Sequence, residues 1–121
     1  MKLTPYNYDW LVTDSDSIWL VQVYDSTSEY CHYFSQFWEE FATKYDGYVK
    51  LGRIDVWQQS EMKSYVPYKF QIFPGLYTVH MGEEVLCQLD FERPYRSLEL
   101  CVEERIQGKT GIKIKDWSEI P

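Results

Sequence analysis

Histidine, cysteine and glycine are scarce in this chain of 121 residues, which holds 2, 3 and 6 of them. With His32 and His80 as the only imidazoles, a metal site would have to recruit scattered carboxylates, so no metal and no cofactor are expected and both histidines are read as surface side chains. Cys31, Cys87 and Cys101 are too few for a disulfide scaffold, and neither CxxC nor a Cys/His pair at zinc spacing occurs. Their number leaves the redox compartment open. Positive charge is also short, with 12 Lys+Arg against 19 Asp+Glu and a net charge of -7. That is the wrong sign for neutralising phosphates or anionic headgroups, so no nucleic-acid partner is expected. No apolar run approaches the roughly 20 residues of a membrane helix, and after Met1-Lys2-Leu3 the chain turns polar. Membrane insertion by this segment is therefore not expected. The end, Ser118-Glu119-Ile120-Pro121, carries no retention signal and suits a domain cut from a longer protein as well as a whole one.

What is present is aromatic. The 11 Tyr, 6 Phe and 5 Trp make up 18% of the residues, enough to build one core in a chain of one-domain length. Leu3-Thr4-Pro5 reads as a helix start running through Tyr8 and Trp10 to Val12. Ile18-Trp19-Leu20-Val21-Gln22-Val23-Tyr24 is almost continuously apolar, the mark of a strand buried on both faces. Ser26 to Ser28 offer caps for an amphipathic helix of about four turns, in which Cys31, Phe34, Trp38, Phe41 and Tyr45 share one face. Asp46-Gly47 stops it, and Tyr48 to Val56 forms a second strand. Gln58 to Tyr65 is expected to be helical until Pro67. Leu76 to His80 and Val85 to Phe91 form a hairpin across the turn Met81-Gly82-Glu83-Glu84. The odd positions of the second arm are apolar, so it should have one wet face. Ser97 to Gln107 is a closing helix ended by Gly108. The order is α-β-α-β-α-β-β-α over residues 1–107, with 108–121 a C-terminal extension or linker. Periodicity turns Cys87 and Cys101 toward the core, where we expect reduced thiols; a disulfide between them is the alternative.

A buried strand feeding a helix with a cysteine in its first turn, then an aromatic-Pro turn leading into a hairpin, resembles the thioredoxin fold. Leu3-Thr4-Pro5-Tyr6-Asn7-Tyr8-Asp9-Trp10-Leu11-Val12 and Trp19-Leu20-Val21-Gln22-Val23-Tyr24 resemble the opening and central strand of protein disulfide isomerase modules, and the likeness covers about residues 3–107. It implies an α/β fold with a central mixed sheet of four to five strands flanked by helices. The family pattern puts its nucleophilic cysteine at Ser28 and its resolving cysteine at Cys31, giving a degenerate motif Ser28-Glu29-Tyr30-Cys31. Its buried proton-carrying acid falls on Gln22, its preceding tryptophan on Thr27, and its threonine after the proline on Gly75. By resemblance, Pro74 is cis and packs against the helix start.

Disulfide exchange needs a thiolate favoured by helix N-terminal amides and positive neighbours. A serine hydroxyl cannot supply one, Gln22 cannot relay a proton, and Glu29 adds charge of the wrong sign. No intact catalytic residue is expected, and Ser28 reads as a plain helix cap. In the family, the backbone beside the cis-proline pairs with extended substrate, which does not depend on the thiols. The expectation is thus a redox-inactive module binding extended polypeptide through Tyr30, Phe73, Pro74 and Gly75. Its partners would be polypeptide clients or neighbouring domains. Degenerate modules of this kind resemble those of endoplasmic reticulum isomerases and J-domain co-chaperones, which implies the lumen of that organelle. Two other readings compete: a single-thiol oxidoreductase acting through Cys31, and an architectural spacer.

Overall fold

The computed structural model describes residues 1–13 and 16–110. Its elements are a five-residue π-helical turn Asp9–Thr13, β1 (Trp19–Tyr24), α1 (Glu29–Lys44), β2 (Lys50–Asp55), a 3-10 turn Ser60–Ser64, β3 (Gly75–His80), β4 (Glu83–Cys87) and α2 (Pro94–Thr110). The four strands form one mixed sheet in the order β2-β1-β3-β4. β1 runs parallel to β2 and antiparallel to β3, and β4 is the antiparallel edge. On the far side of β2, Lys2 bridges Arg53, and the backbone N–H groups of Arg53 and Leu3 bond Met1 and Arg53 carbonyls at 2.8 Å.

β1 is central, as its almost continuously apolar run suggests, and the alternation of a pleated strand divides its side chains between two cores. Leu20 joins Leu76 beneath Phe34, Trp38, Phe41 and Tyr45 of α1 and Leu98 and Val102 of α2. Trp19, Val21 and Val23 face the other way onto Leu3, Tyr8, Val12, Ile54, Met62 and Tyr77. Phe34 and Phe41 are fully buried, and truncating either to Ala should destabilise the fold by about 3–5 kcal/mol. Gly52 sits within β2 because a Cβ there would meet Leu3 Cδ1 at 2.6 Å. The strand tolerates a glycine so that the N-terminal segment can close over it.

Several elements differ from the sequence-based expectation. The opening helix is only a turn followed by the π-helical segment. Tyr8 and Val12 anchor on the sheet while Tyr6 and Trp10 stay exposed, too few contacts to hold a longer helix. The helix expected over Gln58–Tyr65 is the short 3-10 turn, anchored by buried Met62. The second hairpin arm runs from Glu83 to Cys87, so Glu83 and Glu84 belong to the strand and the turn is only Met81-Gly82, and the arm is exposed along most of its length. Beyond it Asp90 N–H donates to Ser97 Oγ at 2.7 Å, so Gln88 to Phe91 form a loop. α2 begins at Pro94, a residue suited to a first helical turn, and runs through Gly108 to Thr110. The remaining tail, Gly111 to Pro121, lies outside the described residues. His80 is buried, with Nε2 bonded to the Asp16 carbonyl at 3.0 Å. Cys87 and Cys101 form a disulfide with Cα atoms 5.6 Å apart: both face inward as the periodicity indicated, but β4 meets α2 at bridging distance.

Candidate functional site

The chain leaves β1 through a turn tied by Asp25, whose carboxylate accepts from Thr27 N–H at 2.8 Å and from the Thr27 hydroxyl at 2.6 Å. These bonds, the hydroxyl's first, hold the Asp25 carboxyl below its usual pKa. Ser28 follows with extended dihedrals, and its Oγ accepts from Cys31 N–H at 3.3 Å. It is the N-cap of α1, as its residue type predicted. Glu29 is exposed in the first turn. Cys31, the free cysteine among the described residues, is buried with 5% of its surface accessible. His32 folds back so that Nε2 bonds the Ser26 carbonyl at 2.8 Å. It therefore serves the loop and not Ser28.

Gln22 is buried in the middle of β1, with Arg53 and Leu76 beside it in the ladder. Strand alternation puts it on the α1 face with Leu20. Its Nε2 has no hydrogen-bond partner among the described residues. An amide at this place can neither accept nor store a proton at neutral pH. Toward the end of β1 the Arg53 guanidinium lies over the Tyr24 ring, 4.5 Å from its centroid. Burial raises the Tyr24 hydroxyl pKa, with Arg53 opposing.

The second half of the site is the turn before β3. The Phe73–Pro74 peptide bond is cis, and Pro74 and Gly75 are buried. A Cβ on Gly75 would run into the Phe70 ring. The ring occupies the space in which a threonine side chain would stand, a physical reason for glycine here. Phe73 is half-buried and packs with Tyr68, Phe70 and Val66 on the core opposite α1. Between this turn and the ends of β1 and β2 lies an apolar groove of 570 Å³, walled by Val23, Val56, Trp57, Tyr68, Phe70 and Phe73, with Lys63, Lys69 and Asp25 at its rim. Trp57 is 66% exposed.

The four expected peptide-contacting residues are thus divided. Phe73 lines the groove, and Pro74 and Gly75 form the buried turn behind it. Tyr30 belongs to the other face: its hydroxyl donates to the Phe91 carbonyl at 2.8 Å and its ring packs, tilted, 4.8 Å from that of Phe91. Trp57, Phe70, Lys63 and Lys69 were not anticipated. The available signal was the run Tyr68-Lys69-Phe70 shortly before the Phe73-Pro74 turn, together with a tryptophan directly after a strand. Among the described residues no three His, Cys, Asp or Glu side chains converge as metal ligands.

Comparison with known proteins fits this architecture. The sequence profile of the thioredoxin family matches residues 1–103. Protein disulfide-isomerase like 2-2 of Arabidopsis thaliana is 24% identical over 111 residues, covering 92% of this chain and 24% of that protein. Protein disulfide-isomerase A6 of Homo sapiens is 36% identical over 55 residues, covering 46% of this chain and 12% of that protein. The chain therefore spans about a quarter or less of these relatives. Among solved structures, the J-Trx1 fragment of ERdj5 superposes with a TM-score of 0.77 at 21% identity, over 94% of this chain and 52% of that one. The Trx4 domain of ERdj5 superposes with a TM-score of 0.69 at 17% identity, over 89% of this chain and 96% of that one. With the fold, the cis-proline turn before β3 and the family profile in agreement over most of its length, this chain belongs to the thioredoxin family.

Proposed function

We propose that this is a thioredoxin-like module that has given up disulfide exchange and holds extended polypeptide in the groove beside Pro74, as part of a larger folding factor of the endoplasmic reticulum. The observation that carries it is the open aromatic groove at the cis-proline turn, next to a motif whose first position caps a helix. An extended segment crossing the turn would meet Phe73 and Trp57, rings able to anchor varied side chains at little conformational cost. The motif beside it holds no exposed thiol: Ser28 Oγ caps Cys31 N–H, Cys31 is buried, and Gln22 stands where a proton carrier is needed. Burial of Cys31 also weighs against the single-thiol alternative. The setting in a reticulum folding factor, of isomerase or J-domain type, is supported by the names of the relatives, protein disulfide-isomerases and ERdj5.

The test is binding of a reduced, carboxymethylated and therefore permanently unfolded polypeptide, which has no thiol to exchange. It should bind the full chain, Phe73→Asp and Trp57→Asp should each weaken binding by about tenfold or more, and Cys31→Ala should leave it unchanged. Binding that ignores both groove variants contradicts the assignment of the groove. Binding lost with Cys31→Ala favours thiol chemistry instead.

A further inference from the structure

The opposite edge of the sheet carries a second surface of different character. β3 and β4 are joined by the two-residue turn Met81-Gly82, both residues with positive φ, and the flanking pair is His80 with Glu83. In such a hairpin the flanking pair exchanges both backbone hydrogen bonds, and bonded pairs then alternate with non-bonded ones. Glu83, Val85 and Cys87 therefore bond β3, while Glu84 and Leu86 aim N–H and C=O outward along the sheet edge. Arg105 of α2 braces the turn end of the hairpin from the helix side, donating to the Glu83 carbonyl at 2.6 Å and meeting its carboxylate at 3.2 Å. Among the described residues no strand pairs with the outer edge of β4, and Leu86 is 53% exposed. A groove of 830 Å³ continues from Leu86 between the Gln88–Glu92 loop and α2. Its apolar floor includes Leu89, Phe91 and Leu100. Its charged lining residues are Asp90, Glu92 and Glu104, all carboxylates, with no Lys or Arg. The Cys87–Cys101 disulfide fixes β4 to α2 and so sets the width of this groove before anything enters it.

Exposed sheet edges template the pairing of a further strand, and charges beside them decide which strands are admitted. We infer that the outer edge of β4 and the adjoining groove form a second docking site, for an extended segment in which Lys or Arg alternates with apolar residues. Such a segment would add a strand beside Glu84 and Leu86, turn its cations toward Glu104 and Asp90 on the α2 side of the sheet, and lay its apolar side chains on the other face beside Leu86. Acidic segments are excluded by the same carboxylates. This site is separate from the groove beside Pro74 and takes its partner by charge and backbone pairing, where that groove offers aromatic rings.

The experiment measures fluorescence anisotropy of a short labelled peptide of alternating Val and Lys added to the full chain, with an alternating Val and Glu peptide of equal length as control. Only the lysine peptide should bind. Leu86→Pro removes an outward N–H without touching the bonds to β3, and should weaken binding by about tenfold. Glu104→Lys reverses a charge on the exposed side of α2, away from the ladder, and should weaken it at least about fivefold. Near-ultraviolet circular dichroism confirms that each variant is folded, and Glu104→Lys decides the matter if Leu86→Pro is not. Phe73→Asp should bind the lysine peptide as well as the unmodified chain. Equal binding of both peptides, wild-type affinity of a folded Leu86→Pro or of Glu104→Lys, or loss of binding in Phe73→Asp overturns the proposal. So does concentration-dependent dimerisation abolished by Leu86→Pro, which gives the edge to a second copy. Binding that appears only after removal of residues 111–121 overturns it too, in favour of the chain's own Ile112-Lys113-Ile114-Lys115.

Discussion

Replacing Ser28 by Ala tests most simply whether this residue acts as the cap of α1. The Ser28 Oγ is the side-chain acceptor for a first-turn N–H of α1, that of Cys31 at 3.3 Å. Alanine leaves that donor to solvent at a half-buried position, and loss of an N-cap of this kind costs about 1 kcal/mol, within a range of roughly 0.5–2. For a domain of this size the corresponding fall in melting temperature is about 3–6 °C. Ser28→Asp keeps an acceptor and places negative charge at the positive end of the helix dipole, so it should melt within about 2 °C of the unmodified chain or above it. Ser28→Cys in reducing conditions should resemble alanine, because sulfur is a weak acceptor. The assay is thermal unfolding followed by far-ultraviolet circular dichroism for all three variants. If alanine melts with the unmodified chain, the cap contributes nothing and Ser28 is held in place for some other purpose. If aspartate is the least stable of the three, a cap is the wrong description of the site.

Gly75→Thr should destabilise the chain by about 1–3 kcal/mol through overpacking against Phe70. The double variant Gly75→Thr/Phe70→Leu should lose less than the sum of the single changes in urea unfolding. Tyr77 is buried, with its hydroxyl 2.7 Å from that of Tyr8, and burial followed by the Tyr8 interaction raises its pKa far above 10.0. The unfolded chain releases that proton near its ordinary pKa, so this contribution to stability is intact below about pH 10 and falls as the pH rises further, by up to roughly 1.4 kcal/mol per pH unit. Tyr77→Phe should flatten the alkaline limb of the stability profile relative to the unmodified chain; parallel profiles contradict the assignment. Reducing Cys87–Cys101, which closes a loop with a sequence separation of 14, should lower the stability by about 3 kcal/mol on the loop-entropy argument. Unchanged unfolding in dithiothreitol would place the constraint elsewhere.

The parts of the fold legible in the sequence are those in which local pattern and tertiary role coincide. β1 is apolar at nearly every position because cores lie on both its faces, and α1 shows its buried stripe at three- and four-residue spacing with a serine cap in front. β4 misled because alternation continues through Leu89 and Phe91 after the strand has ended. Their apolar side chains are used by a loop that bonds Ser97 and Tyr30, and periodicity alone cannot tell the two uses apart. The disulfide was equally hidden: inward-facing cysteines look the same whether or not the elements carrying them meet at bridging distance. At the site, Ser28, Cys31 and the Phe73-Pro74 turn were readable from residue type and order. Phe70 and Trp57 were not, because their roles arise from where the loop after β2 folds back against Gly75 and the strand ends, a tertiary fact with no local signature.

The central claim is that the module has no disulfide exchange chemistry at its family motif, and reduction of insulin by dithiothreitol in the presence of the full chain measures it directly. The account predicts that the unmodified chain, Cys31→Ala and Cys87→Ala/Cys101→Ala all run at the rate of dithiothreitol alone. Turnover by the unmodified chain clearly above that of Cys31→Ala would contradict it, because the buried thiol behind the Ser28 cap would then be at work.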